Sequence, residues 1–77
     1  MKVILYGTKS CVWCKKAREF LKKHKIKFKD LDIEKNMEGE KEMIKKSHQN
    51  GFPVIDIDGK IILGYEEGEI KEALKLK

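Results

Sequence analysis

Proline, cysteine, histidine and long apolar runs are all scarce in this 77-residue chain, which holds one proline, two cysteines and two histidines. Two cysteines cannot build the multi-bridge framework of a small secreted domain. A single proline and six glycines leave no proline- or glycine-rich linker, and no repeat or low-complexity segment is present. The opening residues Met1 to Tyr6 offer too few apolar side chains for a signal peptide or a membrane span. A cytoplasmic chain with no membrane association is therefore expected, and there a standing structural disulfide is disfavoured. With this length the expectation is one domain over residues 1–77, marginally stable, whose large apolar residues are committed to packing.

What the chain has in abundance is charge, 40% of residues, beside a 40% hydrophobic fraction that argues against disorder. Residues 1–38 carry 11 Lys/Arg against 5 Asp/Glu, a net +6, and residues 39–77 carry 7 against 8, a net −1. The excess of positive charge lies in the half that holds both cysteines. It is either a solvated lysine-rich surface or a means of steering acidic partners and favouring a thiolate. No aromatic-interleaved basic motif accompanies it, so no nucleic-acid partner is expected.

Val3 to Tyr6 is a continuous apolar run of the kind found in a strand covered on both faces. Gly7 to Ser10 is turn-like, and from Cys11 a helix fits, with Ala17, Phe20, Leu21 and His24 at helical spacing until His24-Lys25 ends it. Ile26 to Ile33 begins as an alternating strand. Its apolar parity then shifts from Ile26 and Phe28 to Leu31 and Ile33, which requires a bulge or strand end near Asp30. Lys25, Lys27 and Lys29 suit an edge strand. The stretch between Gly7 and this strand is long enough for a helical crossover and a parallel βαβ unit. Asn36 to Gln49 is a second, weaker helix with Met43, Ile44 and Ser47 inward, Gly39 counting against its first turn. Val54 to Ile57 and Ile61 to Leu63 flank Asp58-Gly59, a two-residue hairpin signal, and Gly64 breaks the return strand. Glu66 to Leu76 forms a last helix with Ile70, Ala73 and Leu74 inward and charges that suit its dipole.

The chemistry-bearing stretch is Thr8-Lys9-Ser10-Cys11-Val12-Trp13-Cys14-Lys15-Lys16. Residues three apart on a helix share a face, with Cβ atoms about 5–6 Å apart, close to what a disulfide needs. Such a pair can open and close with little backbone movement, as redox catalysis requires. Cys11 at the helix start faces unpaired N–H groups and the positive end of the dipole, which favours its thiolate. Cys14, a turn further in, is placed to resolve a mixed disulfide. The same spacing also serves metal sites. Zinc would need two more ligands, however, and only His24, far along the same helix, and His48, in the second helix, are available, so no metal is expected. An iron–sulfur or metal carrier remains a competing class.

Tyr6-Gly7-Thr8-Lys9-Ser10-Cys11-Val12-Trp13-Cys14, then Phe52-Pro53-Val54-Ile55-Asp56-Ile57-Asp58-Gly59, then Gly64-Tyr65, taken together, resemble the small glutaredoxin-like redoxins of the thioredoxin superfamily. The resemblance spans essentially the whole chain. It implies an α/β thioredoxin/glutaredoxin fold in the order β-α-β-α-β-β-α, a four-stranded mixed sheet flanked by helices. It also implies a thiol–disulfide oxidoreductase, monomeric, with Cys11 and Cys14 catalytic and no bound cofactor. Lys9, Trp13, Phe52, Pro53, Tyr65 and Glu66 would line the substrate site. Pro53 would be a cis-proline facing the disulfide.

Partners would be disulfide-containing proteins or small molecules, with either glutathione or a thioredoxin-reductase-type flavoprotein as reductant. The second alternative fits a redoxin that donates electrons to one reductase such as ribonucleotide reductase. Glutathione-dependent members carry Thr-Val-Pro and Gly-Gly-x-Asp. Here those stretches read Gly51-Phe52-Pro53 and Gly64-Tyr65-Glu66-Glu67, leaving Lys9 and Glu66 or Glu67 as the charges able to pair with the tripeptide.

Overall fold

The computed structural model describes residues 2–49, 51 and 53–75. Seven elements follow in order: β1 (Val3–Gly7), α1 (Val12–Lys23), β2 (Lys29–Asp32), α2 (Met37–Ser47), β3 (Val54–Ile57), β4 (Lys60–Leu63) and α3 (Glu67–Leu74). They form a four-stranded mixed sheet in the order β2-β1-β3-β4. β1 runs parallel to β2, with Tyr6 opposite Leu31, and antiparallel to β3, with Tyr6 opposite Val54. This is the thioredoxin/glutaredoxin arrangement. Among the described residues no helix is long and apolar enough to cross a membrane.

Side-chain alternation on the two central strands sorts the core into two layers. Val3, Leu5, Ile55 and Ile57 point to one face, where Ala17, Phe20 and Leu21 of α1 and Ile70 and Leu74 of α3 cover them. Ile4, Tyr6 and Val54 point to the other, where Met43 of α2 and Ile33 complete a smaller cluster. β1 is buried along its whole length because both faces are covered, as its unbroken apolar run requires. Each fully buried aliphatic side chain contributes roughly 1.5–3 kcal/mol, so the larger layer supplies most of the stability.

Local chemistry fixes the turns. Asp58 and Gly59 both take positive φ, 53° and 94°, and Ile57 pairs with Lys60 across them. That is the two-residue hairpin for which Asp-Gly is suited. Gly64, at φ 76°, ends β4.

Several expectations need correction. The second strand is Lys29–Asp32 rather than Ile26 to Ile33. Lys25 turns left-handed at φ 56°, and the Ile26 N–H reaches back to the Leu21 carbonyl at 2.9 Å. Residues 24–26 are thus used up in closing α1, and Lys25 and Lys27 lie off the strand. The parity shift is a change of layer: Ile26 and Phe28 pack against the larger cluster, Leu31 and Ile33 belong with the smaller.

In α2, Ile44 is 39% exposed rather than inward. The buried positions are Gly39, Met43 and Ser47, a strict four-residue stripe that leaves Ile44 a full 100° off the face. Gly39 does not weaken the first turn, because the Asn36 side chain caps its N–H at 2.9 Å and a Cβ there would press within 3.3 Å of Asn36 Cγ. α3 spans Glu67–Leu74, with Ile70 and Leu74 buried and Ala73 half-buried; the expected end at Leu76 lies outside the described residues.

Candidate functional site

β1 ends at Gly7, and three residues of loop carry the chain to Cys11, the N-cap of α1. Cys11 adopts an extended backbone, φ −79° and ψ 118°, and its Sγ accepts the Cys14 N–H at 3.1 Å. The sulfur does the work usually left to a serine or aspartate oxygen, satisfying one of the open amides at the positive helix end. The helix proper begins at Val12, one residue later than the sequence pattern placed it.

Both thiols are free, Cys11 half-buried and Cys14 fully buried. Burial is the main cause that pushes the Cys14 thiol up to about 12; its hydrogen bond to the Cys11 sulfur adds to this. The Thr8 backbone and the charge of Arg18 pull the other way. The two sulfurs are therefore unlike in exposure and in hydrogen bonding, the Cys11 sulfur accepting from the backbone and the Cys14 thiol held protonated.

Gly7 explains how Cys14 reaches its place. A Cβ on Gly7 would stand 2.5 Å from Cys14 Sγ and 3.0 Å from its Cβ, so the sulfur rests in the notch that the absent side chain leaves. Thr8 follows, 2% exposed, with a buried hydroxyl that has no hydrogen-bond partner among the described residues. Arg18 Nη2 donates to the Thr8 carbonyl at 3.0 Å, and its Nε donates to Asp30 on β2 at 2.7 Å. Gly7, Thr8 and Arg18 were all missed from sequence. The signal for Arg18 was its place four residues after Cys14, on the same helix face.

Trp13, 55% exposed, lies between the cysteines in sequence and stacks on Tyr65 with ring centroids 6.2 Å apart and planes 27° apart. Lys16 places its ammonium 4.6 Å from the Trp13 ring centre. Tyr65 meets Phe20 edge-on at 6.2 Å, so it joins the rim to the larger core layer. A cavity of about 300 Å³ opens here, lined by Trp13, Pro53, Gly64, Tyr65 and Glu66. Pro53 is buried, and its carbonyl accepts the Gly64 N–H at 2.8 Å, fastening the two loops that form the floor. Four of the expected binding residues thus converge, Trp13, Pro53, Tyr65 and Glu66. Lys9 is exposed and does not line this cavity. Phe52, and with it the isomer of the bond preceding Pro53, lies outside the described residues.

Away from the cysteines, a polar network crosses the smaller layer. The Tyr6 hydroxyl donates to Glu42 at 2.5 Å, and Lys46 donates to Tyr6 at 2.8 Å and to Asp56 at 2.6 Å. Burial works against the Lys46 ammonium, yet its bonds to Asp56, Tyr6 and Glu42 outweigh it and its pKa is raised. The other Asp56 oxygen caps Gly59, so the network also holds the hairpin turn. His24 lies against Phe20 at 4.4 Å, and His48 is the left-handed C-cap of α2.

A family model described as Glutaredoxin matches residues 3–62. An uncharacterized glutaredoxin-like 8.6 kDa protein from the rubredoxin operon of Clostridium pasteurianum is 42% identical over 71 residues, 92% of this chain and 95% of the relative. Among solved structures, the Archaeoglobus fulgidus glutaredoxin grx-1 superposes with a TM-score of 0.85 at 32% identity, over 96% of this chain and 86% of that one. The glutaredoxin-like NrdH-redoxin of Escherichia coli, described as having a thioredoxin-like activity profile, shares the fold with a TM-score of 0.82 at 17% identity, over 94% and 93% of the two chains.

Proposed function

The chain belongs to the glutaredoxin family, and from that premise we propose that it reduces disulfides by exchange through the Cys11–Cys14 pair. One observation carries the assignment of roles: the Cys11 sulfur sits at the mouth of α1 accepting the Cys14 N–H at 3.1 Å, while Cys14 is sealed beneath it over Gly7. Cys11 thiolate attacks one sulfur of a substrate disulfide, and the other leaves as a thiolate. Cys14 then attacks Cys11, its proton goes to the departing substrate thiol, and the Cys11–Cys14 bridge closes. Two electrons have passed to the substrate, and a reductant must return them.

Trp13, Tyr65 and the Pro53 segment form the surface on which the substrate chain rests before attack. The flat Trp13–Tyr65 stack, with a lysine held over it, favours a polypeptide or other ligand with an apolar or acidic side chain. Tyr65 fills ground that a glycine leaves open in glutathione-dependent members. That supports recharging by a thioredoxin-reductase-type flavoprotein rather than by glutathione, in a reducing compartment such as the cytoplasm.

The test is disulfide reduction with two parallel electron supplies, glutathione with its reductase against NADPH with thioredoxin reductase. The second should sustain turnover. Cys11→Ser should abolish it, whereas Cys14→Ser should accumulate a mixed disulfide visible by mass spectrometry. Activity that survives Cys11→Ser overturns the assignment of roles.

A further inference from the structure

Arg18 stands one helical turn beyond Cys14, and its side chain is only 15% exposed. Its guanidinium spans three elements. Nη2 donates to the Thr8 carbonyl in the loop after β1 at 3.0 Å, and Nε donates to Asp30 on β2 at 2.7 Å. The Gly7–Thr8 backbone is the strip on which the Cys14 sulfur lies, with no room for a Cβ between them. Arg18 thus fastens the Thr8 end of that seat, and its positive charge favours the Cys14 thiolate. As a staple the ion pair is a weak device, because Asp30 is 42% exposed and water competes for it. The planar fork is better suited to holding a carbonyl and a carboxylate at a fixed angle.

We propose that Arg18 is the positioning residue of the resolving step, holding Thr8 in place beneath Cys14 and supplying the charge that makes Cys14 a competent nucleophile. The role rests on the dithiol exchange proposed above. In that step Cys14 gives its proton to the departing thiol or to the buffer, and its electron pair forms the bond to Cys11 Sγ. The bond between Cys11 and the substrate sulfur breaks, and the substrate leaves with that pair, so the mixed disulfide itself is the oxidant. The groups that bear on Cys14 are the Cys11 sulfur at the N-cap, the Thr8 backbone, Arg18 on α1 and, opposite Arg18, Asp30 on β2. Burial and Cys11 hold the thiol protonated, and Arg18 is the nearby cation working against them. Asp30 partly cancels that charge.

The experiment mixes the reduced full chain with an excess of 5,5′-dithiobis(2-nitrobenzoate) and follows release of the coloured thiolate from pH 6 to 10. Attack by Cys11 gives a first phase and resolution by Cys14 a second. Resolution is intramolecular, so its rate does not depend on encounter with the anionic probe and is read by itself. Arg18→Gln should slow the second phase about tenfold, the effect of moving the Cys14 profile upward by roughly one pH unit. Arg18→Lys keeps the charge and should recover most of that loss. Asp30→Asn, which leaves Arg18 unneutralised, should speed the second phase. A merely structural role predicts that Arg18→Gln and Asp30→Asn both slow it; that result overturns the proposal. So do superimposable profiles across all variants. A wild-type chain with no second phase overturns the dithiol exchange itself, and the Arg18 role with it.

Discussion

Replacing Gly7 with alanine isolates the contact that seats Cys14. Gly7 has no positive φ, so alanine meets no backbone strain there. Stiffening the unfolded chain would by itself stabilise the fold by roughly 0.4–1 kcal/mol. Against this, the new Cβ would stand 2.5 Å from Cys14 Sγ and 3.0 Å from its Cβ. Cys14 is fully buried on a helix whose next turns hold Ala17 and Phe20 in the core, so it cannot step aside cheaply. Overpacking of this kind costs about 1–3 kcal/mol. The net loss should be about 1–2 kcal/mol, and at roughly 4–8 °C per kcal/mol for a domain of this size Tm should fall by about 5–15 °C.

A double-mutant cycle separates this contact from any general intolerance at the end of β1. In a Cys14→Ala background the sulfur is gone, only the 3.0 Å approach of the two Cβ atoms remains, and the alanine begins to fill the vacated space. Gly7→Ala should there be nearly neutral, giving a coupling energy of about 1–2 kcal/mol. Thermal unfolding of the four proteins by circular dichroism, under a phosphine reductant, measures it. An equal loss in both backgrounds would show that the notch under Cys14 is not what demands glycine.

Four further outcomes follow from the structure. Thr8→Val removes a buried hydroxyl that has no partner among the described residues, and should raise stability by about 1 kcal/mol in urea melts; a loss would reveal a partner for that oxygen. Iodoacetamide at pH 7.5 should label Cys11 and leave Cys14 untouched until the chain is unfolded, as peptide mapping will report. Because folding raises the Cys14 pKa from its ordinary value of about 8.5, the associated stability is fully present below that pH and is lost as pH climbs toward about 12. The bonds from Tyr6 and then Lys46 hold the Glu42 carboxyl below its usual range, so its contribution is present above about pH 4.3 and is lost on further acidification through the folded value. Glu42→Gln should flatten that limb relative to wild type in urea melts between pH 3 and 6, and identical slopes would dismiss the network as a source of acid sensitivity.

The parts of this molecule that were legible from sequence are those decided within a few residues. The Asp58–Gly59 hairpin was legible because two successive positive φ angles call for that dipeptide. The start of α1 was legible to within one residue because a turn-like stretch gives way at once to helical spacing. Where a distant element decides, the sequence was mute. Tyr6 reads as a core aromatic, and so it is, but its hydroxyl is claimed by Lys46, 40 residues away. Lys46 reads as one more lysine of a charged helix. Ile44 looks inward until the stripe through Gly39, Met43 and Ser47 fixes which side of α2 meets the sheet. Arg18 is lost in the same way among the lysines of α1, since its partners Thr8 and Asp30 belong to other elements.

The stack of Trp13 on Tyr65 has an optical corollary. Trp13 is the chain's single indole, so all long-wavelength tryptophan emission originates from a ring within the Cys11–Cys14 motif. A neighbouring thiol and a bridged pair quench an excited ring differently, and an occupant of the cleft would part or tighten the two rings. The protein thus carries its own lamp beside its reactive atoms, and the traffic of electrons and guests through the cleft can be watched without a label.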